Sequence, residues 1–319
     1  MTELAQGSDD AAIVHVGSAA RDVTSDDPRG WRLGGGVTYS ALTTARLGIP
    51  TRAVIGVDAE AAGAVELEVL RQAGVEVLPV PLPEGPVFEN IERPTGRVQT
   101  CLEPGVPLPL IEVPAAWSTV AWSVVPVAGE VSAAWLTSIP RGIWLVLGWQ
   151  GFLRRLVAGQ RVERIPATAN DWLRQAQLIG VSRHDLDPDL PLERITDLLA
   201  PGTDLIVTQG PEGGHHLHLD AARQVTTIPY AAIVSDRQVD ATGAGDTFLA
   251  ALVATALRSD LRSDPTARFD LRFAAAAASL VVEDHGLAGV PTLQAVRERL
   301  AASLSRLPPA RAGTAPPAA

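Results

Sequence analysis

The 319-residue chain contains no lysine; all 26 of its basic residues are arginine. A Walker-A phosphate loop needs its lysine, as does the nucleotide-binding strand of a protein kinase, so both are excluded. Schiff-base chemistry, including covalently held pyridoxal phosphate, is excluded for the same reason. Cysteine is nearly absent as well. Cys101 stands alone, which rules out a disulfide within the chain and any cysteine zinc cluster. No apolar run reaches membrane-spanning length, and the polar opening from Met1 to Asp10 is no signal peptide. A net charge of -10 argues against a nucleic-acid or anionic-membrane surface. These absences predict a cytoplasmic protein with no nucleic-acid or membrane partner. Any nucleotide phosphates it handles must be held by backbone amides, arginine and a divalent ion.

What is present is a large apolar complement, 46% of the residues, enough for one large α/β domain or two small ones. Short runs rich in Val, Ile and Leu occur at 13–16, 53–57, 75–80, 120–127, 143–147, 178–181 and 205–208. They lack clean alternation, as strands buried on both faces do. Helical patterns fall between or after them at 38–47, 59–73, 130–137, 192–199, 271–284 and 293–304, with Gly48 and Gly74 where C-terminal caps belong. The alternation predicts a central, mostly parallel sheet. One stretch breaks the rhythm: 87–93 and 97–102 flank Pro94-Thr95-Gly96 and carry Asn90, Arg97 and Gln99, polar where a core strand would be apolar. That reads as a β-hairpin flap over the sheet. His215, His216 and His218 follow a Gly-Gly turn without an acidic cluster beside them in sequence, so an exposed hairpin is favoured over a metal site. The Pro/Ala-rich tail, 307–319, is expected to be disordered.

The most informative segment is Asp240-Ala241-Thr242-Gly243-Ala244-Gly245-Asp246, which runs into a stretch, Thr247 to Leu257, that is apolar on every face. Glycines let a backbone turn approach a ligand closely, and the helix that follows adds unpaired N–H groups and a positive dipole end. Asp246 is expected to be ionised at this helix start. An anion cradle with an ionised acid at its mouth suits phosphoryl transfer to an alcohol: the acid takes the hydroxyl proton and the amides hold the spreading charge.

With these residues in place the chain resembles the ribokinase-like PfkB family of carbohydrate and nucleoside kinases, over roughly Ile13 to Leu304. Val16-Gly17-Ser18 and Asp22 look like the family's first strand and its hydroxyl-binding aspartate. Gly34-Gly35-Gly36-Val37-Thr38-Tyr39 looks like its di-glycine substrate motif, and Thr208-Gln209-Gly210 with Gly213 like the strand and turn beside the nucleotide. The resemblance implies a three-layer α/β/α sandwich with a mostly parallel central sheet and a small β-lid. The kinase domain is expected over 1–306, with lid segments near 17–33 and 86–112. It implies Asp246 as general base and Gly243, Ala244 and Gly245 as the anion hole. Asp22, Gly34, Gly35, Tyr39, Asn90, Arg97 and Gln99 are then the expected substrate contacts. Ser182, Thr208, Gly210, Gly213, Thr242, Gly243, Gly245 and Ala275 are the expected ATP contacts. Asp185 is expected to bear on Mg²⁺ through water, and Asp240 is a candidate for positioning a monovalent-cation loop. Relatives that dimerise through the lid make a homodimer an open expectation.

A finer resemblance, carried by 88–91, 96–99, 150–154 and 181–186, is to a branch similar to plant myo-inositol kinases and favours a polyol or sugar acceptor. Two departures stand out. Tyr39 replaces the family's usual Asn, and the family's Asn-x-x-Glu reads Ser182-x-x-Asp185. Tyr39 keeps a nucleoside acceptor in play, and the altered Ser182 motif leaves room for a non-catalytic ligand sensor. A dinucleotide-binding oxidoreductase needs G-x-G-x-x-G after the first strand. Gly17 is instead followed by Ser18-Ala19-Ala20-Arg21.

Overall fold

The computed structural model describes residues 12–305 apart from 94, 95 and 265, and the side chains of 92–97 lie outside the description. The expectation for the tail 307–319 also lies outside the described residues. In chain order, the first elements are strands β1 (Ala12–Ser18), β2 (Ala20–Val23) and β3 (Trp31–Gly34), helix α1 (Gly36–Arg46), strand β4 (Thr51–Val57), helix α2 (Val65–Gln72) and strand β5 (Glu76–Pro81). Strands β6 (Pro86–Arg93), β7 (Gly96–Pro104), β8 (Thr119–Val124) and β9 (Trp144–Gly148) follow, then three two-residue strands, β10 (Arg154–Arg155), β11 (Gln160–Arg161) and β12 (Glu163–Arg164). The remainder comprises helix α3 (Asp171–Gln175), β13 (Leu178–Ser182), α4 (Leu192–Ile195), β14 (Asp204–Thr208), β15 (Gly214–Leu219), β16 (Val225–Tyr230), α5 (Ala244–Leu257), α6 (Leu271–Val281) and α7 (Leu293–Ser305).

All seven apolar runs become strands of one nine-stranded sheet, ordered β16-β15-β14-β13-β9-β8-β1-β4-β5. Its pairs are parallel from β5 to β14, and the β15–β16 hairpin extends it antiparallel. Side chains on successive strand positions enter opposite layers. Val14, Val16, Leu145, Leu147, Ile179 and Val181 join Trp135, Trp149 and Trp172 on one face. Ile13, Trp144, Val146, Leu178 and Ile206 pack on the other face against α5 and α6, while Ala53 and Ile55 pack against α1 and α2. This is the expected three-layer sandwich.

Three helical patterns resolve differently. The 59–73 pattern splits into a 3₁₀ turn, Ala61–Gly63, and α2, because Asp58 caps the turn through Ala61 N–H (2.8 Å) and Ala64 is extended. The 130–137 pattern yields only a 3₁₀ segment, Ala133–Ser138, since Glu130 commits its carboxylate to three backbone N–H groups outside a helix. At 192–199 one α turn passes into 3₁₀ at Thr196, whose hydroxyl donates to the Glu193 carbonyl at 2.6 Å.

The flap belongs to a second, five-stranded sheet ordered β11-β7-β6-β2-β3. β6 and β7 pair antiparallel as the sequence predicts, with Arg93 opposite Gly96, and β2 joins β6 in parallel. The two-residue strand β11, which has no sequence pattern of its own, completes this lid-like sheet by pairing Gln160 with Cys101 and Arg161 with Thr100.

Candidate active site

Ligands of open α/β sheets bind beyond the carboxyl ends of the parallel strands. Here those ends bring together Ser18, Val124, Ser182 and Thr208, and the glycine turn before α5 sits at the same edge. Gly243 has φ +79°, the left-handed conformation that glycine adopts freely. A Cβ on Gly243 would run into the ring of Tyr39, whereas a Cβ on Gly245 would meet nothing within 4 Å. One glycine is therefore required by close packing and the other leaves the helix start open. The first-turn N–H groups of a helix have no acceptor within it, so this opening presents amides to whatever occupies it. Behind the turn, Thr247 through Thr255 are buried, as the all-round apolar stretch predicts.

The turn itself is built on Asp240, whose carboxylate accepts from Thr242 N–H (2.9 Å) and Gly286 N–H (3.3 Å). Asp246 is turned toward the start of α1: its Oδ1 would lie 2.9 Å from a Cβ on Gly36. Burial pushes its carboxyl up to about 6, with Arg154 pulling down and Asp185 pushing further up. Desolvation outweighs the dipole, although the group is still mostly ionised at neutral pH.

On the substrate side, Asp22, Asn90 and Gln99 form a chain across the lid. Gln99 Nε2 donates to Asn90 Oδ1 (2.8 Å), and Asn90 Nδ2 donates to Asp22 Oδ1 (2.9 Å). Asp22 also closes over Gly34, where a Cβ would collide with its carboxylate. At Gly35, with φ +102°, a Cβ would fall 2.7 Å from the Ser18 carbonyl oxygen, so only glycine lets the chain pass this close. Tyr39 is 2% exposed and still lines a cavity of about 160 Å³. Asp22, Asp26, Arg32, Asn90, Thr242 and His285 are among the residues that line this cavity. The side chain of Arg97 lies outside the described residues; its backbone pairs with Glu92.

The residues expected at the donor are spread along one edge. Ser182 and Thr208 are register partners at the ends of β13 and β14. Gly210 and Gly213 both have positive φ, and the loop closes through Gln209 N–H to the Gly213 carbonyl at 2.7 Å. Ser182 Oγ accepts from His184 N–H (3.2 Å). Asp185 is 8% exposed and accepts from Gln150 (3.2 Å) and Arg154 (3.3 Å). Ala275 is 5% exposed inside the core cluster of α5 and α6, so it serves helix packing and offers an adenine ring no surface.

Two groups were missed from sequence. Arg154 reaches Asp185 and Asp246 only through the fold, and Glu130, buried and 112 residues away in sequence from Ser18, accepts that residue's N–H at 2.8 Å. The segment 150–154 carries the arginine, but nothing in its sequence names a partner. The histidine stretch forms a hairpin, although its histidines are half-buried rather than exposed, and an acid comes from the adjoining strand β14: Asp204 Oδ1 accepts from His216 and His218, each at 2.8 Å. Among the described residues no group of three His, Cys, Asp or Glu could hold a metal ion. Nor is any helix there long and apolar enough to cross a membrane.

Residues 159–293 match the family model for pfkB family carbohydrate kinases. No curated protein sequence matches the chain. Among solved structures, a pyrophosphate-dependent kinase of the ribokinase family, complexed with a pyrophosphate analogue and myo-inositol, is 20% identical with TM-score 0.65, covering 91% of this chain and 99% of its own. The nucleoside kinase of Methanocaldococcus jannaschii is 16% identical with TM-score 0.65, covering 91% and 98%. The ribokinase of Arabidopsis thaliana, complexed with ribose and ATP, is 20% identical with TM-score 0.63, again covering 91% and 98%. At these identities the likeness establishes the fold. The chain therefore carries the ribokinase fold, and its residues 159–293 are similar to the pfkB carbohydrate kinase family.

Proposed function

We propose that this chain is a kinase that transfers the terminal phosphoryl group of ATP to an alcohol of a small neutral sugar or polyol, a myo-inositol-like ring being the leading candidate. The observation that carries the reading is the start of α5, where Asp246, with its carboxyl at about 6, stands beside the open helix start at Gly245. Asp246 takes the acceptor's proton as the oxygen attacks phosphorus in line, and the amides of Gly243 to Gly245 hold the developing charge. Thr208, Gly210, Gly213 and Thr242 cradle the donor's phosphates. The lid sheet covers the acceptor and excludes water that would hydrolyse the donor. Asp246 does not line the cavity described above, which Thr242 of its own turn does, nor a second cavity lined by its electrostatic neighbour Arg154.

The acceptor cavity carries Asp22, Asp26 and Asp240 against the single arginine Arg32, which disfavours sugar phosphates and sugar acids and suits neutral hydroxyls. The described residues form no cage for Mg²⁺, since Asp185 is engaged by Arg154 and Gln150 and no three-ligand cluster exists among them. The ion enters with the donor's phosphates, whose charge it neutralises. A donor without a base, pyrophosphate, deserves testing beside ATP because Ala275 is consumed by packing.

A nucleoside acceptor is the second reading. It rests on Tyr39 among the residues lining the cavity, with Val23, Leu33 and Val239 supplying further apolar lining. The test is phosphoryl transfer from ATP·Mg²⁺ or pyrophosphate·Mg²⁺ over a panel of polyols, pentoses, hexoses and nucleosides. Turnover on polyols or sugars that adenosine fails to inhibit supports the first reading; nucleoside turnover supports the second.

A further inference from the structure

We propose that Arg154 is a catalytic residue that contacts the donor's transferring phosphate, held in place by Asp185 and carried on a segment shared between body and lid. The proposal deepens the kinase reading and rests on it. A phosphate entering beside Asp246 and Asp185 adds at least two negative charges to a site that already holds two carboxylates. In a chain without lysine, the counter-charge must come from arginine or from the donor's own cation. Arg154 is the positive group whose charge bears on Asp246, and it lines a second cavity, of about 190 Å³, with Gly105, Ala128, Gly129, Glu130 and Leu156.

Its position is built from several directions. Trp149 N–H donates to the Gly180 carbonyl (2.9 Å), which fixes the turn after β9 against β13. Gly151 has no room for a Cβ, which would fall 2.6 Å from the Pro126 carbonyl, so the turn is also pressed onto the segment after β8. Arg154 follows directly and donates through Nη2 to Asp185 Oδ1 at 3.3 Å, while Gln150 holds the other carboxylate oxygen. A guanidinium has five N–H donors in a planar fork, so the bond to Asp185 leaves a donor edge for phosphoryl oxygens. Past Arg154 the chain pairs with the lid: Gly159 N–H donates to the Cys101 carbonyl (2.8 Å) and Val162 N–H to the Gln99 carbonyl (2.9 Å). Gln99 also belongs to the polar chain that reaches Asp22. One segment thus joins the acceptor side of the lid to the proposed phosphate contact.

The test is calorimetric binding of pyrophosphate·Mg²⁺ and of ATP·Mg²⁺ to the full chain, to Arg154→Met and to Arg154→Lys, with steady-state kinetics alongside. Arg154→Met is expected to bind the better donor at least tenfold more weakly while acceptor KM moves less than threefold. Arg154→Lys, which keeps the charge and loses the fork, is expected to fall between that variant and the parent. Donor binding by folded Arg154→Met within threefold of the parent overturns the proposal. If Arg154→Met does not fold, Arg154→Lys decides, with parent-level binding again overturning it. A parent that transfers phosphate while Arg154→Met binds donor normally sinks this proposal alone. A parent that binds donor through Arg154 but phosphorylates no acceptor sinks the kinase reading alone. A parent that binds neither probe sinks both.

Discussion

Asp246 combines two properties that pull against each other. A carboxyl raised to about 6 is a competent base at neutral pH, and the same burial makes its ionised form a cost to the fold. Between the ordinary value of 3.8 and about 6 the folded chain binds more protons than the unfolded one, so this group's contribution to stability falls as pH rises through that window. Asp246→Asn is therefore expected to lower turnover by about 10² to 10⁴. The same variant should raise stability at pH 7 by roughly 1–3 kcal/mol. Paired kinetics and denaturant melts check both. A variant that is slower and also less stable contradicts the burial argument. The pH dependence follows from the same group: kcat/KM should be flat above pH 7 and fall tenfold per unit below about 6. A second residue-scale expectation concerns Gly243. Alanine there must adopt φ +79° and meet the Tyr39 ring, at a cost of about 1–3 kcal/mol. Gly245→Ala, which meets nothing, should retain the parent's melting temperature and lose activity only through the amide opening.

At the scale of elements, the strands were legible because burial on both faces leaves unbroken Val, Ile and Leu runs. The helix starting at the glycine turn was legible because its apolar face has no polar side. Short 3₁₀ pieces were not, since Asp58, Glu130 and Thr196 use side-chain oxygens on backbone groups that a periodicity count cannot see. The flap's hairpin was read from Pro94-Thr95-Gly96, whereas β11, two residues long, has no pattern of its own and is defined only by its partner β7. Within the site, Asp22, Asn90 and Gln99 were named separately and the fold joins them into one chain. Asn90→Ala removes the middle link and leaves Asp22 without that donor, a loss of about 0.5–1.5 kcal/mol. Acceptor KM is expected to rise roughly 2- to 10-fold with donor KM unchanged, by the usual conversion of such energies. Steady-state kinetics with each substrate varied will check it, and an equal rise in both KM values would contradict an acceptor-side role.

The whole molecule is a three-layer body with a second, five-stranded sheet beside it. The body's inner strands β1, β8 and β13 lie between two apolar layers, whereas β11 contributes only two residues to the lid's edge. Local stability should follow that difference. Hydrogen exchange is expected to be fast in β7 and β11 and slow in β1, β8 and β13, with acceptor and donor together slowing the lid strands most. The charges of the site also make sense only at this scale. Asp246, Asp185 and Arg154 come from three separate parts of the chain, so the raised carboxyl and its arginine neighbour could not be read from any one motif.

The most direct test of the central claim is phosphoryl transfer measured on the parent and on Asp246→Asn, with ATP·Mg²⁺ or pyrophosphate·Mg²⁺ as donor and neutral polyols, sugars and nucleosides as acceptors. The account predicts turnover on one acceptor class that falls at least a hundredfold in the variant, on the order of a general base's contribution, while donor binding persists. Transfer by the variant within about threefold of the parent, or a folded parent that binds donor and phosphorylates nothing in the panel, would contradict it.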